Sequence, residues 1–321
     1  MSQENIPIVQ EFRIEDTPAG SKKLFWLELT RDGLGNPVCV PLMVVRGRAD
    51  FPVLGLTAAV HGNELNGIPI IQRIYNTLDA ADFEGVVVGV PVVNIPAYTA
   101  KRRRFDDGTD LNHIMPGKDK GNANQIYAYR FFNRVAQHFD YLLDLHTASP
   151  GRINTYYVRA DMSHPTTKKL ALLQNPQIIV HNPPSDGTLR GAANESDIPA
   201  ITMEIGNPNV YQRRLIRSGV EGVDNVMSFL EMTDDPIDPP ELDAVVCKKS
   251  YWIYTDTGGL MIIHVDLTDK LTKGQHIATI KDVFGREIKK YFAPEAGIVI
   301  GKSTAPVNQT GGRILHLGIL R

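Results

Sequence analysis

Of the 321 residues, the group with most chemistry in it is His61-Gly62-Asn63-Glu64. A histidine and a glutamate three apart on a turn can aim a nitrogen and a carboxylate oxygen at one ion. A catalytic zinc takes such ligands, commonly two histidines and one glutamate, and keeps its fourth position for water. Gly62 permits a sharp turn between the two side chains. Taken alone, the spacing equally fits a helix start with an acid well placed in its first turn. A second histidine stands in Asp144-Leu145-His146-Thr147, 82 residues after Glu64, where a third ligand would come from. Asp144 is suited to orient that ring, because a metal-bound imidazole usually donates its other N–H. By itself this segment also reads as a core histidine satisfied by a nearby acid.

Two further groups fit the same chemistry. Glu204, in Thr202-Met203-Glu204-Ile205-Gly206, lies among apolar neighbours, where a carboxylate is costly to bury unless paired or used. Beside an activated water it would take a proton and later pass it to a leaving amine; the bland alternative is a structural ion pair. The run Arg104-Phe105-Asp106-Asp107-Gly108-Thr109-Asp110-Leu111-Asn112-His113 offers an arginine, which near a metal stabilises the oxyanion of a tetrahedral intermediate. Lys101 and Arg102 read as a solvated loop.

The elements that must position these residues follow from hydrophobic period. Residues up to about 50 read as strands, with alternating Phe25, Leu27 and Leu29 and a turn at Asp32-Gly33-Leu34-Gly35-Asn36. Val53 to Val60 is a short, nearly continuous apolar run, the mark of a strand buried on both faces. Ile68, Ile70, Ile71 and Ile74 then recur at helical spacing. Further strands are predicted at Gly85 to Val93, Tyr141 to Leu145, Gln177 to Val180 and Ala200 to Ile205. Further helices are predicted at Tyr127 to His138, Lys168 to Leu173 and Val220 to Leu230. Alternating strands and helices make an α/β fold with a largely parallel sheet covered on both faces, and ligands of such sheets bind at the carboxyl ends of the strands. His61, His146 and Glu204 all stand at such ends. A Pro-rich acidic linker at 233–242 separates a catalytic domain, 1–232, from a small all-β domain of about eight glycine-punctuated strands, 243–321.

Composition narrows the class. Lys plus Arg number 34 against 36 Asp plus Glu, a net charge of −2, so nothing favours nucleic acid or an anionic membrane as a partner. Cys39 and Cys247 lie far apart in no metal or redox spacing, which fits a reducing compartment. The opening MSQENIPIVQEF lacks a basic region followed by an apolar stretch. The expectation is a cytoplasmic protein with a small-molecule substrate, in which a homo-oligomer is permitted.

Together, His61-Gly62-Asn63-Glu64, Arg104…Asp110-Leu111-Asn112, Asp144-Leu145-His146 and Met203-Glu204-Ile205-Gly206 resemble the succinylglutamate desuccinylase/aspartoacylase family, a branch of the zinc carboxypeptidase-like superfamily. The likeness spans about residues 40 to 321. It implies a zinc carboxypeptidase-like central mixed sheet with helices on both faces, and a barrel-like C-terminal β domain. It implies one zinc per chain held by His61, Glu64 and His146, with Glu204 as general base and acid. Arg104 would polarise the carbonyl, with Arg103 as the alternative. The activity implied is hydrolysis of the amide bond of a small N-acylated amino acid or amine. A metallocarboxypeptidase trimming a peptide end, or an inactive metal-binding module, is the competing reading. Family members usually carry Asn-Arg where this chain has Asn112-His113, a pair that binds the substrate carboxylate. Histidine lacks the charged bidentate fork of arginine. Its loss removes about 1.5–3 kcal/mol of charge-assisted hydrogen bonding, unless Arg152 or Arg190 supplies the contact.

Overall fold

Val53–Ala58, the strand β4, is buried at every position, as its unbroken apolar run requires, and the rest of the chain is arranged around it. The computed structural model describes residues 6–320. Residues 1–5 and 321, which begin the N-terminal stretch and end the expected β domain, lie outside the described residues. Ahead of β4 come β1 (Ile8–Val9), β2 (Ser21–Arg31) and β3 (Pro37–Arg46). After it come α1 (Gly67–Thr77), β5 (Val86–Val90), α2 (Ile95–Thr99), α3 (Ala123–Arg134) and β6 (Tyr141–His146). Then follow β7 (Arg152–Asn154), β8 (Tyr156–Ala160), α4 (Pro165–Leu173), β9 (Ile178–His181), α5 (Leu189–Glu195), β10 (Ala200–Ile205) and α6 (Arg213–Phe229).

The sheet runs β1-β2-β3-β5-β4-β6-β10-β8-β9 and onward into the C-terminal strands. Its centre, β5-β4-β6-β10, is parallel throughout; β8 and β9 run parallel to each other but antiparallel to β10. Helices cover both faces. Ile70, Ile71 and Ile74 of α1 share one core with Leu170 of α4 and Val223 and Val226 of α6. Phe131 and Phe132 of α3 share the opposite core with Leu189 and Ala192 of α5.

Periodicity missed some of this. The helix expected from Val220 begins at Arg213, because Arg213, Arg214 and Arg217 face solvent and dilute the apolar stripe of its first turns. Strand β7 and the seven-residue α5 are too short to announce themselves, and β8, mostly buried, lacks the polar–apolar alternation that marks a half-buried strand.

Residues 233–242 carry no regular structure, yet they are pinned. Asp238 N–H donates to the Asn225 side chain of α6 at 2.7 Å, and its carbonyl accepts from Asn175 at 3.0 Å. The eight strands beyond are β11 (Val245–Tyr254), β12 (Gly259–Ile263), β13 (Lys270–Leu271), β14 (His276–Lys281), β15 (Glu287–Phe292), β16 (Gly297–Ser303), β17 (Val307–Asn308) and β18 (Arg313–Leu320). The barrel-like arrangement that the resemblance implied is not what they form. β11 pairs with β9 and carries β18, β16 and β13 into the main sheet, whereas β15-β14-β12-β17 make a second sheet. Among the described residues no ladder joins the two. They meet through side chains, with Ile277 and Ile280 packing into one core with Leu315 and Leu317. Cys39 and Cys247 are both free thiols. No helix among the described residues is long and apolar enough to cross a membrane.

Candidate metal centre and active site

Strand alternation decides which side chains meet. In β6, Leu143 and Leu145 enter the α1/α4/α6 core; in β10, Ile201, Met203 and Ile205 do the same. With a period of two, Asp144, His146, Thr202 and Glu204 are left for the other face. The register then sets Thr57 beside Asp144, and Glu204 beside His146.

His61 and Glu64 arrive from the loop after β4. The Glu64 N–H donates to the His61 carbonyl at 3.0 Å, a turn that puts both side chains on one side. The helix start is Gly67, three residues later, so Glu64 is not an acid in its first turn. Gly62 is needed for close approach rather than for a sharp turn: a Cβ there would stand 2.1 Å from the Ala97 carbonyl carbon and 2.2 Å from the Tyr98 nitrogen. Asn66 ties the loop to β10, donating to the Ile205 carbonyl at 2.7 Å.

His61 Nδ1 lies 3.0 Å from Glu64 Oε1, His146 Nδ1 lies 2.9 Å from Glu64 Oε2, and the two Nδ1 atoms are 3.2 Å apart. Each ring has a carboxylate at its far nitrogen. Asp110 is 2.9 Å from His61 Nε2, and Asp144 is 2.8 Å from His146 Nε2. Thr57 in turn donates to Asp144 at 2.7 Å. With both Nε2–H groups donating outward, both Nδ1 lone pairs converge with a buried carboxylate on one point. A divalent cation satisfies that donor set, and neutral imidazole plus carboxylate is the set that zinc accepts. The three residues fit a metal ion, and their ligand atoms all lie within 4.8 Å of one another.

The charges agree with this geometry. Burial disfavours the Glu64 carboxylate, but the adjoining His61 and His146 outweigh it and hold the carboxyl well below the usual range. Burial likewise opposes a charge on His146, yet Asp144 and Glu64 raise its pKa well above that of a free imidazole. Glu204 goes the other way. Burial and the negative Glu64 raise its pKa, against the partial relief of Arg159 3.8 Å away.

The arginines separate by geometry. Arg103 donates to Glu64 Oε1 at 2.7 Å, to Ser149 Oγ at 2.6 Å and to Asp110 at 3.2 Å, with its side chain 25% exposed. Arg104 is 57% exposed and, among the described residues, reaches only Asp110, at 3.5 Å. Both face the cavity. Asn112 accepts the Leu189 N–H at 2.8 Å, fastening this loop to the start of α5. His113 stands at the rim, its side chain 64% exposed. Arg190 is fully buried and bound to Asp186 and to the carbonyls of Asn182 and Pro183, so it holds the loop before α5 together.

These groups line one cavity of about 420 Å³, which Trp252, Arg313 and His316 reach from the C-terminal strands. That contribution, and the Asp110 contact to His61, have no signature in local spacing; Asp110 was visible only as part of a loop. A larger depression, about 760 Å³, opens at the amino ends of β4 and β6 beside Phe51 and Asp140. It holds no such convergence of ligands.

Known proteins share this fold. Residues 50–230 match the family model of the succinylglutamate desuccinylase/aspartoacylase catalytic domain. The N-alpha-acetyl-L-2,4-diaminobutyric acid deacetylase of Halomonas elongata is 25% identical over 257 residues, covering 77% of this chain and 75% of that protein. The product-bound ectoine utilization protein of Ruegeria pomeroyi superposes with a TM-score of 0.84 at 22% identity, over 93% of this chain and 95% of that one. A succinylglutamate desuccinylase/aspartoacylase of Rhodobacter sphaeroides gives 0.85 at 20% identity, over 98% and 100%. At such identities the superpositions speak for the fold, while the family match covers more than half of the sequence. This chain therefore belongs to the succinylglutamate desuccinylase/aspartoacylase family.

Proposed function

We propose that the protein is a zinc-dependent deacylase that hydrolyses the amide bond of a small N-acylated amino acid or amine. His61, Glu64 and His146 would hold one zinc per chain. One observation carries the reading: the ligand atoms of these residues converge, and Glu204 is the cross-strand neighbour of His146. Zinc at such a centre supplies Lewis acidity, which acidifies a water and polarises a carbonyl.

The protein's own groups do the rest. Glu204, ionised, accepts the proton of the attacking water at a carboxylate oxygen. Its raised pKa lets it retain that proton and hand it to the leaving nitrogen. A cationic hydrogen-bond donor is then needed for the oxyanion. Arg103, already within reach of Glu64, is better seated for this than the more exposed Arg104. Asp144 and Asp110 keep the two rings in the tautomer that presents Nδ1. The Asn112 oxygen is engaged by Leu189, which leaves its NH₂ group and His113 for substrate at the rim.

The Halomonas relative's name describes removal of an acetyl group from an amino acid nitrogen, the same class of reaction. For the competing carboxypeptidase reading a peptide would have to pass Trp252, Arg313 and His316, which line the cavity on the side of the C-terminal strands. Metal analysis of the wild type beside His61→Ala is the test. About one zinc per chain, lost in the variant, is expected; no zinc bound or taken up would reject the reading. Across a peptide-length series, activity that rises with length would transfer the assignment to a carboxypeptidase.

A further inference from the structure

Most charged side chains around the cavity have partners. Arg103 is bound to Glu64 and Asp110, Arg159 lies beside Glu204, and Arg190 is bound to Asp186. Arg152 and Arg313 differ. Among the described residues neither guanidinium has a carboxylate partner or a side-chain hydrogen bond, although both line the cavity. Two cations are nevertheless held close together over one ring. Arg152 lies 5.3 Å and Arg313 5.6 Å from the centre of Trp252. Cation–π attraction partly offsets the repulsion between them, but it leaves all their N–H donors free.

Their place in the fold gives the pair a direction. The ladder sets Tyr157 beside Glu204. The Tyr157 ring meets His316 edge-on at 6.1 Å, and His316 stacks on Trp252 at 5.2 Å with the rings 11° from parallel. An aromatic floor thus runs from the proposed proton carrier to the two arginines. Burial, and then the neighbouring Arg159 and Arg152, push the His316 pKa well below the ordinary value. Beyond the pair lies a second cavity of about 370 Å³, between the start of β7 and the loops around β17, and Arg152 and Arg313 line that one as well. The two guanidiniums therefore stand at the junction of the reaction cavity with an open annex.

Resting on the deacylase reading, we propose that Arg152 and Arg313 form an anion subsite that holds a carboxylate of the substrate, at the far end of the Tyr157–His316–Trp252 floor from Glu204. Forked donors in a pair match a carboxylate at two edges. The substrates selected would be N-acylated compounds that carry a carboxylate remote from the amide being cut, and neutral or cationic analogues would be poorly held. Arg152 comes from β7, which pairs with β16, and Arg313 from the start of β18, so the subsite exists only when the C-terminal strands are seated against β7.

The test is calorimetric titration of the zinc-loaded protein with succinate at low ionic strength, for wild type, Arg152→Gln, Arg313→Gln, the double variant and Arg152→Lys. Each glutamine variant should weaken binding about tenfold and the pair about a hundredfold, as expected of charge-assisted hydrogen bonds, while lysine should retain part of the affinity. Equal affinity in wild type and double variant, or no succinate binding by the wild type, would overturn the proposal. Inorganic phosphate binding tighter than succinate would overturn the carboxylate assignment. A parallel kinetic arm compares an N-acyl substrate with its carboxamide: the double variant should raise KM for the carboxylate form selectively and leave kcat nearly as it was. If the wild type cuts no amide at all, the deacylase reading fails, and the titration still judges the subsite on its own.

Discussion

The reaction cavity has two walls of opposite character. On the wall of β4, β6 and β10, nearly every polar atom is buried and bound: His61 to Asp110, His146 to Asp144, Asp144 to Thr57, Glu64 to the Thr147 N–H. On the wall of β11, β18 and the start of β7, Arg152 and Arg313 are more exposed and have no acid partners among the described residues. The first wall is preorganised, as a metal centre must be. The second keeps donors free, as a recognition surface must. On the proposed reading, the difference divides chemistry and selectivity between different parts of the chain. Changes on the first wall should lower turnover or metal content, and changes on the second should alter substrate affinity.

The comparison breaks most sharply at Glu204. Glu204→Gln should retain zinc but lower kcat by about 10²- to 10⁴-fold; near-native turnover would remove Glu204 from the chemistry. Next, Arg103→Ala should lower kcat by about 10²- to 10³-fold, and Arg104→Ala by clearly less. The reverse order in steady-state assays would assign the oxyanion contact to Arg104. Asp144→Ala should weaken zinc affinity by about 10- to 100-fold through the ring it orients, measured by competition with a chelator. Unchanged affinity would mean that the His146 ring needs no support. Gly62→Ala should cost about 1–3 kcal/mol of stability by forcing α2 away from the loop, read in thermal melts.

One prediction concerns pH. Glu204 works as a base only when ionised, and burial beside Glu64 raises its pKa. The acid limb of kcat/KM should therefore lie above the ordinary glutamate value, with activity rising as pH rises through it. A limb at or below that value would contradict the assignment.

Much of the first wall was legible in the sequence. His61, Glu64, His146 and Glu204 follow apolar runs at strand ends, and β4, β6 and β10 lie where those runs predicted them. Asp144 two residues before His146 shares its strand face, so its support of the ring was readable from alternation alone. The order of Arg103 and Arg104 was not readable, because a loop without period does not reveal which neighbour turns inward. Nor was the second wall. Trp252, Arg313 and His316 carry no motif, and their chemistry appears only when the fold sets the His316 ring of β18 edge-on against Tyr157 of β8.

The sequence by itself determined the longer elements, the candidate ligand types and the family, because hydrophobic period and side-chain chemistry are local properties. Only the tertiary structure decided the rest. The neighbour of each strand made Glu204 the partner of His146, and the C-terminal strands were divided between two sheets rather than closed into a barrel. Packing also brought two unpaired arginines over one tryptophan. Such outcomes depend on burial against residues distant in sequence, and no short window of the chain contains both partners.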